Sequence, residues 1–251
     1  MNMKWPLLLL LSAFGVPGGI LAQDATKPPP PRQVRFLALG DLPPFRQEIR
    51  GGVRYELEPP PGSIPPREVV VEAGDQEAGT IRLTLGRLSK GVKVPGGSGP
   101  LALRRKDDAS GTQPWRRLER PEAGDFIVLL WRDPESKSWT AARSLPVPTE
   151  APAGSATFLN VAPGPVAVGI GNETFVLAPG KPVRRPLAPG SPVAFQLGLS
   201  DGKGRVTRKL SRSLEQIAGE RTFVFVYRSD GEGARSPVGV KVHRERVMGT
   251  P

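Results

Sequence analysis

A short apolar run and its second copy constrain the fold of this chain more than any other feature. Residues 126–132 read Phe-Ile-Val-Leu-Leu-Trp-Arg, and residues 222–228 read Thr-Phe-Val-Phe-Val-Tyr-Arg. The similarity extends without a gap over residues 116–132 and 212–228, a constant separation of 96 residues. Each run has the length of one strand and is apolar at nearly every position, which is typical of a strand covered on both faces. The sequence therefore predicts two copies of one β-module.

The chain around these runs has the pattern of an all-β protein. No segment shows a sustained helical period, and turn signals recur about every 8–12 residues between short strands. We predict two tandem antiparallel β-sandwich modules, Ig-like and related by internal duplication, at residues 34–148 and 155–243. A Pro-rich linker separates them. A single closed barrel made from both halves is the alternative, and the linker prolines count against it.

The two predicted modules differ by one hairpin. Residues 44–59 align with residues 165–179, with apolar side chains facing inward at alternate positions. Residues 68–72 and 79–85 have strand character but no partner in the second module. We therefore expect these two segments to form an extra hairpin in module 1.

The N-terminal residues predict export. Residues 1–22 combine a short positive start, an apolar centre and a small residue, Ala22, where a signal peptidase would cut. An uncleaved signal anchor is the alternative, and Pro17-Gly18-Gly19 argues against it by interrupting a spanning helix. No other stretch is apolar for long enough to cross a membrane. We expect a secreted or periplasmic protein, with a Pro-rich linker at 23–33 and a flexible tail at 244–251.

Composition narrows the compartment and the partners. The chain has no cysteine, so each module must rest on packing without disulfides, which is more usual in exported bacterial proteins than in secreted animal domains. The net charge of +11 and the pI near 10.5 favour anionic partners. Nucleic acid is not expected outside the cytoplasm. An unknown protein or an anionic glycan of the cell envelope is the expected partner.

The sequence predicts no catalytic residue, no metal ligand and no cofactor. The only histidine, His243, lies near the C-terminus and is interpreted as a solvated strand-end residue. No nucleophile elbow accompanies it. The acidic pairs Asp107-Asp108 and Glu56 with Glu58 are interpreted as solvated surface. A hydrolase, the third hypothesis, would need a carboxylate-lined cleft.

Two features are candidates for binding. Trp115 and Trp139 flank the first apolar run in polar segments, and exposed indole faces could stack on sugar rings. The alternative is that each tryptophan covers an open edge of the sandwich. A basic stretch follows in the second module, where one strand would place two cations on each of its faces: Arg208 with Arg212, and Arg205 with Lys209.

The basic stretch also has two interpretations. It could bind an anionic polymer, or it could be a charged edge strand that prevents aggregation between sheets. The leading hypothesis for the whole chain is a non-enzymatic, exported structural or interaction module of the bacterial cell envelope. The alternative is a binding module for anionic polysaccharide, which would use the basic strand and the exposed tryptophans.

Overall fold

A computed structural model describes residues 29–108, 113–200, 205–232 and 234–247. Within these ranges the chain forms strands and one short 3₁₀ helix, with no α-helix, so the all-β prediction is confirmed. None of the described segments is a helix long and apolar enough to cross a membrane. The predicted signal peptide, most of the 23–33 linker and the end of the 244–251 tail lie outside the described residues.

The first half of the chain forms two four-stranded sheets and one separate hairpin. The sheet orders are β10-β9-β1-β6 and β5-β4-β7-β8, and β2 pairs only with β3. The strands are β1 (Arg32–Leu39), β2 (Gln47–Arg50), β3 (Val53–Glu56), β4 (Glu68–Ala73), β5 (Gln76–Arg82), β6 (Val92–Val94), β7 (Leu101–Arg105), β8 (Arg116–Leu118), β9 (Phe126–Arg132) and β10 (Ala142–Pro148), with the 3₁₀ helix at Trp139–Ala141.

The second half forms two further four-stranded sheets, in the orders β14-β11-β17-β18 and β13-β12-β15-β16. Its strands are β11 (Ser155–Asn160), β12 (Val166–Ile170), β13 (Glu173–Leu177), β14 (Val183–Pro186), β15 (Val193–Ser200), β16 (Val206–Leu214), β17 (Glu220–Arg228) and β18 (Val238–Arg246). Across the described ranges, every sheet draws its strands from one half of the chain. The closed barrel shared by both halves is therefore not formed.

The two halves have the same strand order once β2 and β3 are set aside. In each half the first strand lies between the fourth and the seventh, and the eighth pairs with the seventh. The first and seventh strands run parallel in both halves, as β1 with β9 and β11 with β17. A constant-type immunoglobulin domain instead places its first strand in a sheet with the second, fifth and fourth. The observed order therefore differs from the Ig-like arrangement that the sequence suggested.

The extra hairpin is β2–β3, and the prediction that residues 68–85 are the insertion is wrong. The pairs β4–β5 and β12–β13 occupy equivalent places in their sheets, whereas β2–β3 projects by itself. The alternation of apolar and polar residues in this segment resembles that of a core strand. In the hairpin, however, Ile49 lies opposite Arg54 and Val53 lies opposite Arg50, so neither face of the hairpin is continuously apolar. The large apolar side chains predicted to face inward are exposed: Phe45, Ile49, Val53 and Tyr55.

Three apolar layers hold the four large sheets together. One core fills module 1 between its two sheets, and a second core fills module 2 in the same way. A third layer joins sheet β10-β9-β1-β6 to sheet β14-β11-β17-β18, and we name it the inter-module layer. Its buried members are Leu37, Leu39, Ile127, Leu129, Val147, Leu159, Val161, Phe223 and Phe225.

The inter-module layer explains the two apolar runs. On β9, Val128 and Leu130 face the core of module 1. Ile127 and Leu129, which alternate with them along the strand, face module 2. Residues 126–130 are all fully buried. The strand β17 repeats this division, with alternate side chains in the module 2 core and in the inter-module layer. The prediction that each run is a strand covered on both faces is confirmed.

A buried ionic cluster lies at one end of the inter-module layer. Glu245 on β18 has a side chain only 8% exposed, and its carboxylate binds Arg35 of module 1 at 2.6 Å and Arg221 at 2.9 Å. The His243 ring nitrogen Nε2 lies 2.9 Å from the same carboxylate. Burial by itself would raise the pKa of Glu245, but the hydrogen bonds and charges of these three partners outweigh it and hold the pKa at about 2.

We predict that Glu245→Gln flattens the acid limb of the stability profile. Because the folded pKa lies below the ordinary value of 4.5, the carboxylate stabilises the fold above that pH, and this contribution is lost as the pH falls towards 2. Loss of the charge should lower the free energy of unfolding at pH 7 by about 3 kcal/mol. Urea denaturation at pH 7, 4.5 and 3 measures both effects.

The matched control for this prediction is Glu173→Gln, because Glu173 is exposed and lies 3.8 Å from Arg185. We expect a change below about 0.5 kcal/mol for the control. Parallel pH profiles for Glu245→Gln and the wild type would contradict the assignment of a buried ionised carboxylate.

Candidate functional site

A concave surface lies at the opposite end of the inter-module layer, and we name it the seam cleft. Its volume is about 880 Å³, and it is formed by the loops that follow β1, β3, β9, β11 and β17. Both halves of the chain contribute to it. Six prolines line it: Pro43, Pro44, Pro60, Pro61, Pro134 and Pro163.

Two aromatic side chains at equivalent places in the repeated runs line the floor. Trp131 ends the apolar part of β9, and Tyr227 does the same on β17. Both are partly buried and pack against the inter-module layer. The Tyr227 ring lies against Gly239, where any side chain would collide with the ring. Burial, and then the nearby Asp41 carboxylate, raise the pKa of Tyr227 to about 12.

Reciprocal hydrogen bonds between two carboxylates and the backbone lie beside the cleft, and we name this contact the Asp41–Asp230 clasp. The backbone N–H of Asp41 donates to Asp230 Oδ1 at 2.8 Å. In return, the N–H groups of Asp230 and Gly231 donate to Asp41 Oδ2 at 2.9 and 3.0 Å. Because Asp41 follows β1 and Asp230 follows β17, the clasp joins the two modules at the cleft.

Arg132 holds the clasp from the side of β9. Its Nε donates to Asp230 Oδ2 at 2.5 Å and its Nη2 donates to the Asp230 carbonyl at 3.2 Å. The Arg132 side chain is only 9% exposed. Arg132 thus pairs across the seam with a residue of the other module.

The loop between β9 and β10 holds a lysine in a strained conformation. Lys137 has a φ of 51°, the left-handed region that only glycine adopts without cost, and no other non-glycine residue among those described shares it. Its N–H donates to the Asp133 carbonyl at 3.0 Å. The Asp133 carboxylate accepts from the Glu135 N–H at 2.9 Å and from Arg143 at 2.5 Å, and these contacts lower its pKa. The loop is thus fixed by its own hydrogen bonds.

Neither of the two tryptophans considered for stacking on sugar rings is fully exposed. Trp139 is 2% exposed and belongs to the core of module 1, so it cannot stack its indole face on a sugar ring. Trp115 is partly buried against the same core, and its Nε1 donates to the Trp139 carbonyl at 2.9 Å. Covering an edge of the sandwich, the alternative interpretation, agrees with both placements.

The basic stretch forms the exposed edge strand β16. None of its cations lines the seam cleft, although Arg212 lies beside it, near Tyr227. Arg208, Lys209 and Arg212 are all exposed, and Arg205 is exposed just before the strand begins. None of the first three forms a salt bridge with another described residue.

The predicted division of these cations between the two faces of β16 is wrong. A β-bulge leaves Lys209 without a cross-strand partner, so Arg208 pairs with Gly198 but Leu210 pairs with Leu197. Arg212 then lies opposite the buried Phe195, on the inward side of the strand. Arg208 and Arg212 therefore lie on opposite faces, because the bulge adds one residue between them.

Two of the remaining polar candidates, His243 and Asp107, take part in local pairing. His243 is part of the Glu245 cluster and is partly buried, so its interpretation as a solvated residue is wrong. Asp107 binds Arg105 at 2.9 Å. Over the described ranges, no three His, Asp or Glu side chains converge in a way that could hold a metal ion.

The comparisons with known proteins add no family. No protein-family model matches the chain, and a search of curated proteins finds no significantly similar sequence.

Proposed function

We propose that this protein is an exported, non-enzymatic interaction protein of the bacterial cell envelope, and that its partner binds at the seam cleft. The signal-peptide pattern of residues 1–22 and the cysteine-free, basic composition support the compartment. The observation that carries the proposal is that the seam cleft, of about 880 Å³, lies next to an exposed apolar hairpin.

We further propose that the two halves arose by internal duplication of one β-sandwich module. Two independent observations support this origin. The sequences at 116–132 and 212–228 align without a gap. The eight strands of each half, apart from β2–β3, pair in the same order and with the same parallel contact. The inserted hairpin is then the part in which module 1 departs from the repeated plan.

The exposed apolar side chains favour an interaction surface beside the cleft. Leu42 is 73% exposed and Phe45 is 70% exposed, in the same loop as three cleft residues. Ile49, Val53 and Tyr55 continue this exposure along β2–β3. A two-stranded hairpin that packs on no sheet is marginally stable in water, and a partner that covers it would stabilise it.

We predict that a photo-crosslinking amino acid at position 45 captures the partner in cells that make the protein naturally. The matched control is position 176, because Val176 is 65% exposed on β13 and does not line the cleft. The expected result is a discrete crosslinked product from position 45 and none from position 176. Equal products at both positions, or none at either, would contradict the proposed surface.

Binding of anionic polysaccharide at β16 is the second candidate function. The observation in its favour is that Arg208, Lys209 and Arg212 are exposed and form no salt bridge with another described residue. It predicts binding to polygalacturonate that weakens at high salt and weakens by about tenfold in Arg208→Gln/Lys209→Gln, since fewer cations then face the polymer. Titration with labelled polygalacturonate is the measurement, and equal binding by variant and wild type would exclude this function.

A further inference from the structure

The charges that line the seam cleft are not balanced. Of its three carboxylates, Asp230 is bound by Arg132, and Asp133 is bound by Arg143 and by backbone N–H groups. Glu232 is exposed and is the third carboxylate that lines the cleft. Two of the three carboxylates of the cleft are therefore already paired with arginines of the protein.

Three cations of the cleft remain available. Arg46, Lys137 and Arg228 all line it and are exposed. No described residue forms a salt bridge with any of the three. They belong to three different loops or strand ends, and their convergence on one concave surface attracts negative charge.

The backbone conformation of Lys137 is a second observation that favours a negatively charged ligand. Its left-handed φ of 51° would be adopted by glycine at no cost, so a lysine here reduces stability. Strained residues of this kind cluster at sites where function requires the side chain. The hydrogen bonds of the Asp133 turn hold the strained backbone in place.

The remaining lining favours apolar side chains over hydroxyl groups. Six prolines contribute rings that have no N–H to donate, and Trp131 and Tyr227 lie between them and the inter-module layer. A sugar chain has fewer apolar atoms than a peptide with which to cover these rings. Aliphatic or aromatic side chains of a peptide would instead pack against these rings.

We propose that the seam cleft binds an acidic segment of a partner protein, whose apolar side chains pack on the prolines and Trp131 while its carboxylates pair with Arg46, Lys137 and Arg228. This inference rests on the proposed function and specifies the chemistry of the partner. A volume of about 880 Å³ is within the range of sites that enclose a ligand of this kind.

The test is selection of binders from a random twelve-residue displayed peptide library on the purified chain without residues 1–22. Expected binders are rich in Asp and Glu together with Leu, Ile or Phe. Their affinity should fall at least about tenfold in Arg46→Gln/Lys137→Gly/Arg228→Gln and should decrease with salt, because three charge contacts are removed.

The matched control removes the same number of charges elsewhere. Lys90→Gln/Lys93→Gln/Lys181→Gln changes three exposed lysines that do not line the cleft, and it should leave affinity within about twofold. Lys137→Gly alone separates binding from folding. Glycine relieves the strained φ, so the variant should be at least as stable as the wild type and yet bind the selected peptides more weakly.

Selected peptides without acidic residues, peptides bound equally by the cleft variant, or no enrichment at all would overturn the inference. So would polygalacturonate binding that requires Arg46, Lys137 and Arg228, because the cleft would then be a glycan site. If position 45 still captures a partner in cells while the peptide result is negative, the proposed function stands and only the acidic chemistry fails. If both are negative, both fail.

Discussion

Burial of the inter-module layer is the constraint on which the rest of this structure depends. The strands β9 and β17 each contribute one set of side chains to their own module and the other set to the layer between modules. With Phe223 and Phe225 fully covered there, separation of the modules would expose a large apolar surface to water, at roughly 25 cal/mol per Å². The two modules are therefore expected to act as one rigid body, although the sheets of each half are formed separately.

That rigidity is what gives the seam cleft a defined shape. The Glu245 cluster fixes one end of the layer, and the Asp41–Asp230 clasp fixes the other. Loops from both modules meet only because the layer holds β1, β9 and β17 together beneath them. Arg132 then stabilises the clasp, and its own charge is paired with that of Asp230. The polar groups of the interface thus lie at its ends, and the apolar groups lie in its middle.

The sequence predicts the internal repeat, but it does not predict where the extra hairpin, the cations of β16 and the cleft lie. The gapless match of residues 116–132 to residues 212–228 predicts two all-β halves and the burial of both faces of the runs, because strands buried on both faces are apolar at nearly every position.

The sequence does not predict the place of the β2–β3 hairpin, because its alternating pattern resembles that of a core strand. Only the cross-strand partners of Ile49 and Val53 show that both of its faces are mixed. The faces of β16 were misjudged because a bulge at Lys209 has no simple sequence signal. The cleft was missed because it depends on contacts between residues as distant as Asp41 and Asp230, although Trp131 and Tyr227 at matched positions of the repeat were a usable signal.

The most direct test of the inter-module layer is equilibrium unfolding of the chain without residues 1–22, followed by two probes on the same sample. Trp115, Trp131 and Trp139 all belong to the first half, so tryptophan fluorescence reports module 1, whereas far-ultraviolet circular dichroism reports the strands of both modules. A shared layer predicts that the two curves superimpose with one midpoint, because neither module is stable with that surface exposed. Two separated transitions, with fluorescence following only one of them, would contradict the account.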